Sequence, residues 1–520
     1  MTARDYAIKK GLPKQTKTIC PECKKLLAGD IFEKDGAVYM EKTCPEHGTF
    51  SDIYWSDAEL YLKAEESAFD GIGLINPSDQ SVDIGRNVSI EIGGVEVDLL
   101  SNTALANVDL TNRCNMRCPI CFANANSAGY VFEPDFETVV EMLEMLRNER
   151  PIKCTAVQFS GGEPTIYPRF VDVIRTAKEL GFAQVQVATN GLSFANDFQL
   201  LKDAVDAGLN TIYLSFDGIT DDIYLQARNR KMFDVKLKLL DNLRKLEKAP
   251  SVVLVPTLVK GINNHQVGDI LNFAFDNSDV VRGVNFQPVA FTGRIDNQER
   301  VENRYTLTDM IKDVETQTGY ATRDDWYPVP VVAPISKFVS AILDENKVTF
   351  TTHPHCGVAT YLFKDESGVV VPVPRFIDAD RFSKGLFELS MKARNSRFKG
   401  WYKVKAVRLL RSCIRKDQVP EGLNVKKFMK ILEGVMSDRS KLSLADFSWK
   451  MMFVGGMHFQ DDYNYDVERV KRCAVHYTTP DMKVIPFCAY NGGPNYREIV
   501  EKKFSVPLDE WKQKHGDEHC

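Results

Sequence analysis

The chain has 520 residues, 44% of them hydrophobic and 26% charged, and a net charge of −5. That length is too great for one hydrophobic core and predicts two to four domains, while the composition excludes a disordered or fibrous protein. The mild acidity gives no global attraction for nucleic acid, no apolar run reaches membrane-spanning length, and Met1–Lys10 has no export pattern, so a cytoplasmic protein is expected. Twelve cysteines in an unexported chain point to metal before disulfides.

In chain order, residues 18–53 read as a small metal-stapled module. Cys20-Pro-Glu-Cys23 and Cys44-Pro-Glu-His47 form two knuckles at spacing C-x2-C-x20-C-x2-H, a tetrahedral set for zinc or iron. Between them Ile31–Tyr39 reads as a hairpin turning at Asp35-Gly36. The module needs a staple because it is too small to build a core. Residues 61–100 read as a connecting segment, with a break at Asn76-Pro77. Strand and helix patterns then alternate. Strands are predicted at 105–110, 155–159, 184–189, 211–216, 252–256 and 284–287. Helices are predicted at 136–147, 170–180, 197–207, 235–246 and 265–275. This period means a parallel sheet with helices outside. After about residue 300 the alternation fades; a hairpin is expected around 365–368 and a helix at 425–436.

Two signals lie within the alternating region. Cys114, Cys118 and Cys121 stand at C-x3-C-x2-C, and three such thiolates can hold three irons of a [4Fe–4S] cube and leave the fourth open. Ser160-Gly-Gly-Glu-Pro-Thr165 follows the next strand. Its two glycines let the backbone come close to a ligand. A later stretch, 392–416, carries ten basic residues, no acid, and embedded aromatics, which suits an anionic surface.

Together the cysteine run and the Gly-Gly-Glu run resemble the radical AdoMet superfamily. The resemblance implies an open (β/α)6 partial TIM barrel, a [4Fe–4S] cluster and S-adenosylmethionine cleaved to a 5′-deoxyadenosyl radical. It implies that Gly161, Gly162 and Glu163 meet the methionine ammonium. Asn190, Ser215 and Asp217 become candidates for the methionyl and ribose groups and Gln287 for adenine, with Phe122 shielding the site. Arg228 and Arg230 are left between ligand binding and the surface. No general acid or base is assigned. The superfamily often carries an auxiliary [4Fe–4S] cluster in a C-terminal extension; Cys356, Cys413, Cys473 and Cys488 are the candidate ligands, with His353, His355, His458 or His476 as substitutes for Cys413. Cys154 and Cys520 are left without a role.

The runs Val185–Gly191, Val255–Gly261, Gly283–Pro288, His353–Gly357 and Ile485–Asn491 look like one subfamily. It contains archaeal tetraether lipid synthases and class D radical AdoMet methyltransferases proposed to act on a pterin. The basic stretch at 392–416 favours the lipid reading: C–C bond formation between isoprenoid chains of a membrane ether phospholipid, at the inner membrane surface. The alternative is methylation of a pterin; a non-catalytic iron–sulfur electron carrier leaves the open iron unexplained. Either enzyme needs a low-potential electron donor such as ferredoxin. The expected organisation is a rubredoxin- or zinc-ribbon-like module at 1–60, a connector at 61–100, the partial barrel at 101–305 and a C-terminal auxiliary-cluster and substrate domain at 306–520.

Overall fold

The computed structural model describes residues 8–76, 87–421 apart from positions 297, 299 and 366, isolated positions between 422 and 450, and 451–516. Of the helix expected at 425–436 only Lys426, Lys430 and Gly434 are described, each helical, and Cys520 lies outside the described residues.

The N-terminal module is an antiparallel sheet of four strands in sequence order: β1 (Lys14–Ile19), β2 (Leu26–Lys34), β3 (Ala37–Cys44) and β4 (Gly48–Trp55). The β2–β3 turn falls at Asp35-Gly36, both with positive φ (52° and 78°), the geometry that a tight two-residue hairpin requires.

The alternating region forms β5 (Leu105–Thr111), β6 (Ala156–Gly161), β7 (Gln184–Thr189), β8 (Thr211–Ser215), β9 (Ser251–Val255) and β10 (Val281–Pro288). All six run parallel and lie side by side in that order. The connecting helices are α1 (Phe136–Asn148), α2 (Phe170–Glu179), α3 (Phe198–Asp206), α4 (Phe233–Arg244) and α5 (Val267–Asp276). Each buries one stripe. On α2, Phe170, Val173, Ile174 and Ala177 are buried, the i, i+3, i+4, i+7 pattern of a helix lying on a sheet. Burying a side chain such as Phe170 is worth roughly 1.5–3 kcal/mol.

Both edges of this sheet are extended by later residues. β11 (Gly357–Lys364) and β12 (Met452–Met457) continue beyond β10, with β12 parallel to it and β11 antiparallel to β12. β13 (Val475–Thr478) pairs parallel with β5, and β14 (Val484–Pro486) pairs antiparallel with β13. The sheet therefore stays open as an α/β partial barrel, with strands from residues after 306 extending both of its edges.

A second helical unit packs α6 (Ala333–Leu343), α7 (Ala379–Arg394) and α8 (Lys399–Ser412) around Phe338, Leu386, Ala393, Ala406 and Leu410. The metal module docks on the barrel through Tyr54, Trp55 and Tyr61, the last stacked on His355 at 3.8 Å between centroids. A buried charge network joins the parts: Arg304 bridges Asp52 of the module and Asp461 of the C-terminal region. Among the described residues no helix is long and apolar enough to cross a membrane.

Candidate functional site

The ends of the six parallel strands open into a cavity of about 310 Å³. Ser160 and Gly161 reach it from β6, Thr189 and Asn190 from β7, Ser215 from β8, Val255 from β9, and Gln287 from β10. Carboxyl ends of parallel strands are where barrel folds place ligands. The loop after β5 brings Cys114, Cys118 and Cys121 to the same cavity, each half-buried.

That loop is fixed by its own side chains. Asn126, held at φ 62°, receives the Cys114 N–H at 2.9 Å and donates to the carbonyls of Cys114 (2.7 Å) and Met116 (3.2 Å). Arg228 donates to the Ile120 carbonyl at 2.9 Å. The Arg294 N–H caps the Cys121 carbonyl at 3.0 Å. The two glycines explain themselves sterically. A Cβ on Gly161 would lie 2.2 Å from the Thr111 oxygen, and one on Gly162 would lie 2.1 Å from the Arg113 oxygen. Only glycine lets the end of β6 zip against the start of the cysteine loop.

Glu163 is fully buried. Its Oε1 accepts from the Thr165 N–H (3.2 Å), the Thr165 hydroxyl (2.5 Å) and the Thr189 hydroxyl (2.7 Å); its Oε2 accepts from the Asn190 N–H (2.9 Å). Burial raises its pKa against these donors. The carboxylate thus ties the ends of β6 and β7 together and also lines the cavity. Asn190 bridges back to the cysteine loop through Asn115, at 2.7 Å.

Asp217 departs from expectation. Its side chain does not line the cavity. It forms a two-point pair with Arg228, at 2.6 and 2.7 Å, and accepts the Thr257 N–H at 3.2 Å. Arg228 is the member of the pair that faces the cavity, beside Cys118. Arg230 is exposed. Gln287 lines the cavity and donates to the Tyr213 hydroxyl at 3.4 Å. Phe122 lines it too but is 42% exposed, with its ring 5.9 Å from Phe487.

The late cysteines divide. Cys356 and Cys488 are close enough that their charges add to burial in raising the Cys473 thiol. Arg469 pairs with Cys356, and burial pushes Cys488 up to about 11 while Arg469 opposes it. Cys488 also lines the main cavity. Cys413 does not join them. It closes α8 in the helical unit, surrounded by Ser412, Arg381, Asp378 and Arg415, because α8 packs on α6 and α7 and not on the sheet. Of the histidines proposed as substitutes, His476 has both ring nitrogens bonded, to Thr103 and to the Cys473 carbonyl, at 2.9 Å each. His355 bonds the Tyr61 carbonyl at 3.1 Å through Nε2. The His353 Nδ1 accepts the His355 N–H at 3.3 Å. His458 follows β12 directly opposite the Cys356 carbonyl, and its buried Nε2 has no partner. The basic stretch 392–416 contributes no residue to the cavity lining; it forms the end of α7 and all of α8, with Phe398 and Trp401 exposed.

In the N-terminal module, Cys20, Cys23, Cys44 and His47 converge. His47 Nδ1 lies 3.7 Å from Cys20 Sγ and 3.4 Å from Cys44 Sγ, and Cys23 Sγ lies 3.9 Å from Cys44 Sγ. A tetrahedral zinc site with ordinary bond lengths requires S···N of about 3.5 Å and S···S of about 3.8 Å. The donor set fits one metal ion.

Sequence reasoning missed Lys236. It is buried on α4, lines the cavity, and donates to the Asn190 carbonyl at 2.5 Å; burial pushes its pKa down to about 8. The signal was present, since Phe233, Lys236, Leu240 and Leu243 share one helical stripe, and a lysine there sits at a core position. Also missed was Arg497 on α9 (Tyr496–Phe504), which is buried against Asp109 at 2.6 Å and Glu501 at 3.2 Å.

Comparison with known proteins bears on these assignments. Residues 108–274 match the Radical SAM superfamily, and residues 12–56 match the HMPTM N-terminal zinc ribbon domain. A 7,8-dihydro-6-hydroxymethylpterin dimethyltransferase of Methanocaldococcus jannaschii is 46% identical over 507 residues, 97% of this chain and 98% of the relative. A GTP 3′,8-cyclase of Chlorobaculum tepidum is 27% identical over 43% of this chain and 66% of its own length. Among solved structures, SuiB of Streptococcus suis bound to S-adenosylmethionine matches 42% of this chain and 47% of its own, at 17% identity and a TM-score of 0.33. The full-length match to a pterin dimethyltransferase overturns the lipid C–C coupling expected from the basic stretch. The physical reason for the error is placement: that stretch lies on a separate helical unit and contributes no residue to the cavity lining.

Proposed function

The chain belongs to the radical SAM superfamily, in the family of the Methanocaldococcus jannaschii enzyme, and we propose that it methylates a reduced 6-hydroxymethylpterin. The observation that carries this reading is the 46% identity over nearly the whole of both chains. Membership of the superfamily brings a [4Fe–4S] cluster, S-adenosylmethionine and the need for an electron donor; a ferredoxin-type protein is the donor we propose.

Cys114, Cys118 and Cys121 would hold the cluster, with an open iron toward the cavity. When bound, the cluster and S-adenosylmethionine supply hydrogen-atom abstraction from a substrate carbon, and the added carbon would come from a separate folate-type one-carbon donor, with the reductant supplying the electrons. The chain does the positioning. Glu163 locks the ends of β6 and β7, which presents the Gly161-Gly162 backbone to the cavity. Arg228, oriented by Asp217, fixes the far side of the cysteine loop through Ile120. The Lys236 ammonium faces the same space next to Asn190 and suits an anionic group such as an amino-acid carboxylate. Phe459 and Phe487, stacked at 3.8 Å, build an aromatic wall on the side of the C-terminal strands. A flat heterocycle can lie on such a wall, and apolar walls keep water from a reactive carbon.

Cys356, Cys473 and Cys488 are proposed as three ligands of an auxiliary cluster beside this wall. The buried, unpartnered Nε2 of His458 is the proposed fourth donor in place of Cys413. The test is anaerobic incubation of the reconstituted protein with S-adenosylmethionine, a low-potential reductant, a folate-type one-carbon donor and 7,8-dihydro-6-hydroxymethylpterin, followed by mass spectrometry. Methylated pterin is the expected product. Release of 5′-deoxyadenosine with unaltered pterin, at every reductant tried, refutes the substrate assignment.

A further inference from the structure

Across the floor of the cavity runs a row of carboxamides that no step above uses. Asn107 on β5, Gln158 on β6 and Gln186 on β7 are direct cross-strand neighbours. Gln158 Nε2 donates to Asn107 Oδ1 at 2.7 Å, and Gln186 Nε2 donates to Gln158 Oε1 at 2.6 Å. All three line the cavity. Three amides joined by two such bonds leave one polar group at each end. At one end is the Asn107 Nδ2, fully buried and without a partner. At the other is the Gln186 carbonyl, which accepts no hydrogen bond among the described residues.

Next in the sheet, Tyr213 on β8 repeats the pattern. Its hydroxyl accepts from Asn285 and Gln287, so its own proton remains to be donated. Tyr213 also lines the cavity. A buried donor without an acceptor is destabilising, and a ligand with a matching edge removes that penalty. The strands here read Val157-Gln-Phe159 and Val185-Gln-Val187, with amides standing where a structural core would carry apolar side chains.

We propose that the Asn107–Gln158–Gln186 row, with Tyr213, is the subsite that reads the hydrogen-bonding edge of the substrate's 2-amino-4-oxopyrimidine ring. The Asn107 amide would donate to the ring carbonyl, and Gln186 would accept from the 2-amino group. This rests on the pterin reading and adds which residues select the ring.

The test uses the reconstituted holoenzyme and its Asn107→Leu and Gln186→Leu variants, with equilibrium binding of 7,8-dihydro-6-hydroxymethylpterin, its 2-desamino analogue and S-adenosylmethionine. Loss of one buried bond is expected to weaken pterin binding by roughly ten-fold or more in each variant. S-adenosylmethionine affinity should stay within two-fold. The wild type should prefer the amino-bearing pterin, and the Gln186 variant should lose that preference. Unchanged pterin affinity in both folded variants overturns the proposal while leaving the pterin reading intact. Parallel loss of S-adenosylmethionine binding also overturns it, since the row would then hold the cofactor or the fold. A wild type that binds neither pterin refutes this proposal and the substrate reading together.

Discussion

Replacing Gly162 by alanine tests whether the second glycine of the Gly-Gly-Glu run exists to seat the cysteine loop. The added Cβ would stand 2.1 Å from the Arg113 oxygen, 2.6 Å from the Arg113 carbonyl carbon and 2.9 Å from the Asn112 oxygen. All three are backbone atoms and cannot rotate away. An ordinary C···O contact needs about 3.3 Å, so the loop must retreat by about 1 Å. Arg113 precedes Cys114 directly, and its oxygen also accepts the Glu163 N–H at 2.9 Å. The retreat therefore strains or breaks that bond, about 1 kcal/mol, in addition to roughly 1–3 kcal/mol of overpacking. Displacement of about 1 Å at a reacting centre lowers rates by roughly a hundred-fold. The assay is iron content, the electron paramagnetic resonance signal of the reduced cluster, and the rate of 5′-deoxyadenosine release. The N-terminal metal should be retained, and Gly400→Ala, with nothing within 4 Å of the new Cβ, should behave as wild type. A Gly162→Ala protein with full iron and a cleavage rate within two-fold of wild type would show that the loop is not seated in this way.

Lys236→Met removes a buried charge whose pKa has fallen from 10.5 to about 8, a penalty of about 3 kcal/mol at neutral pH, against about 1–2 kcal/mol for the lost bond to Asn190. The variant should melt slightly higher at pH 7 and bind S-adenosylmethionine more weakly. Because the folded pKa lies below the unfolded one, wild-type stability should rise between pH 8 and 10.5 relative to the variant, and parallel pH profiles would count against the assignment. Asp461 is held down at about 2 by Arg304, so its contribution is present above pH 4 and lost as pH falls toward 2. Asp461→Asn should destabilise the protein by roughly 3–5 kcal/mol at pH 7 and flatten its acid denaturation curve; an unchanged melting temperature contradicts the bridge. Cys23→Ser or His47→Ala should each lower the bound zinc or iron by one ion per chain and destabilise the module. Since none of its four donors lines the main cavity, 5′-deoxyadenosine release should persist, and its complete loss would place that metal in the reaction.

The barrel was legible because its signals are local. The parallel strands are apolar runs at a steady period, and Asp135 and Asp197 cap α1 and α3 where the chain changes direction. The cluster loop and the N-terminal donor set were legible for the same reason, with ligands a few residues apart or brought together by one hairpin. The substrate was not. The basic stretch at 392–416 has the composition of a surface that binds anions, but composition does not say which face of the molecule it occupies. Arg228 and Asp217 looked equally suited to a ligand; only the fold showed that one holds the other and that the arginine is the member facing the cavity.

By itself the sequence determined the strand–helix alternation, the three-thiolate loop, the glycines at its seat and the metal-stapled ribbon, because each depends on residues within about one supersecondary unit. Tertiary structure decided three things. It decided that β12 and β13, from the far end of the chain, complete both edges of the sheet. It grouped Cys356, Cys473 and Cys488 while leaving Cys413 on a separate helical unit. It also aligned Asn107, Gln158 and Gln186 across three strands. Each depends on packing between segments tens to hundreds of residues apart; a local side-chain pattern says which face of a strand is buried, but not which distant segment lies beside it.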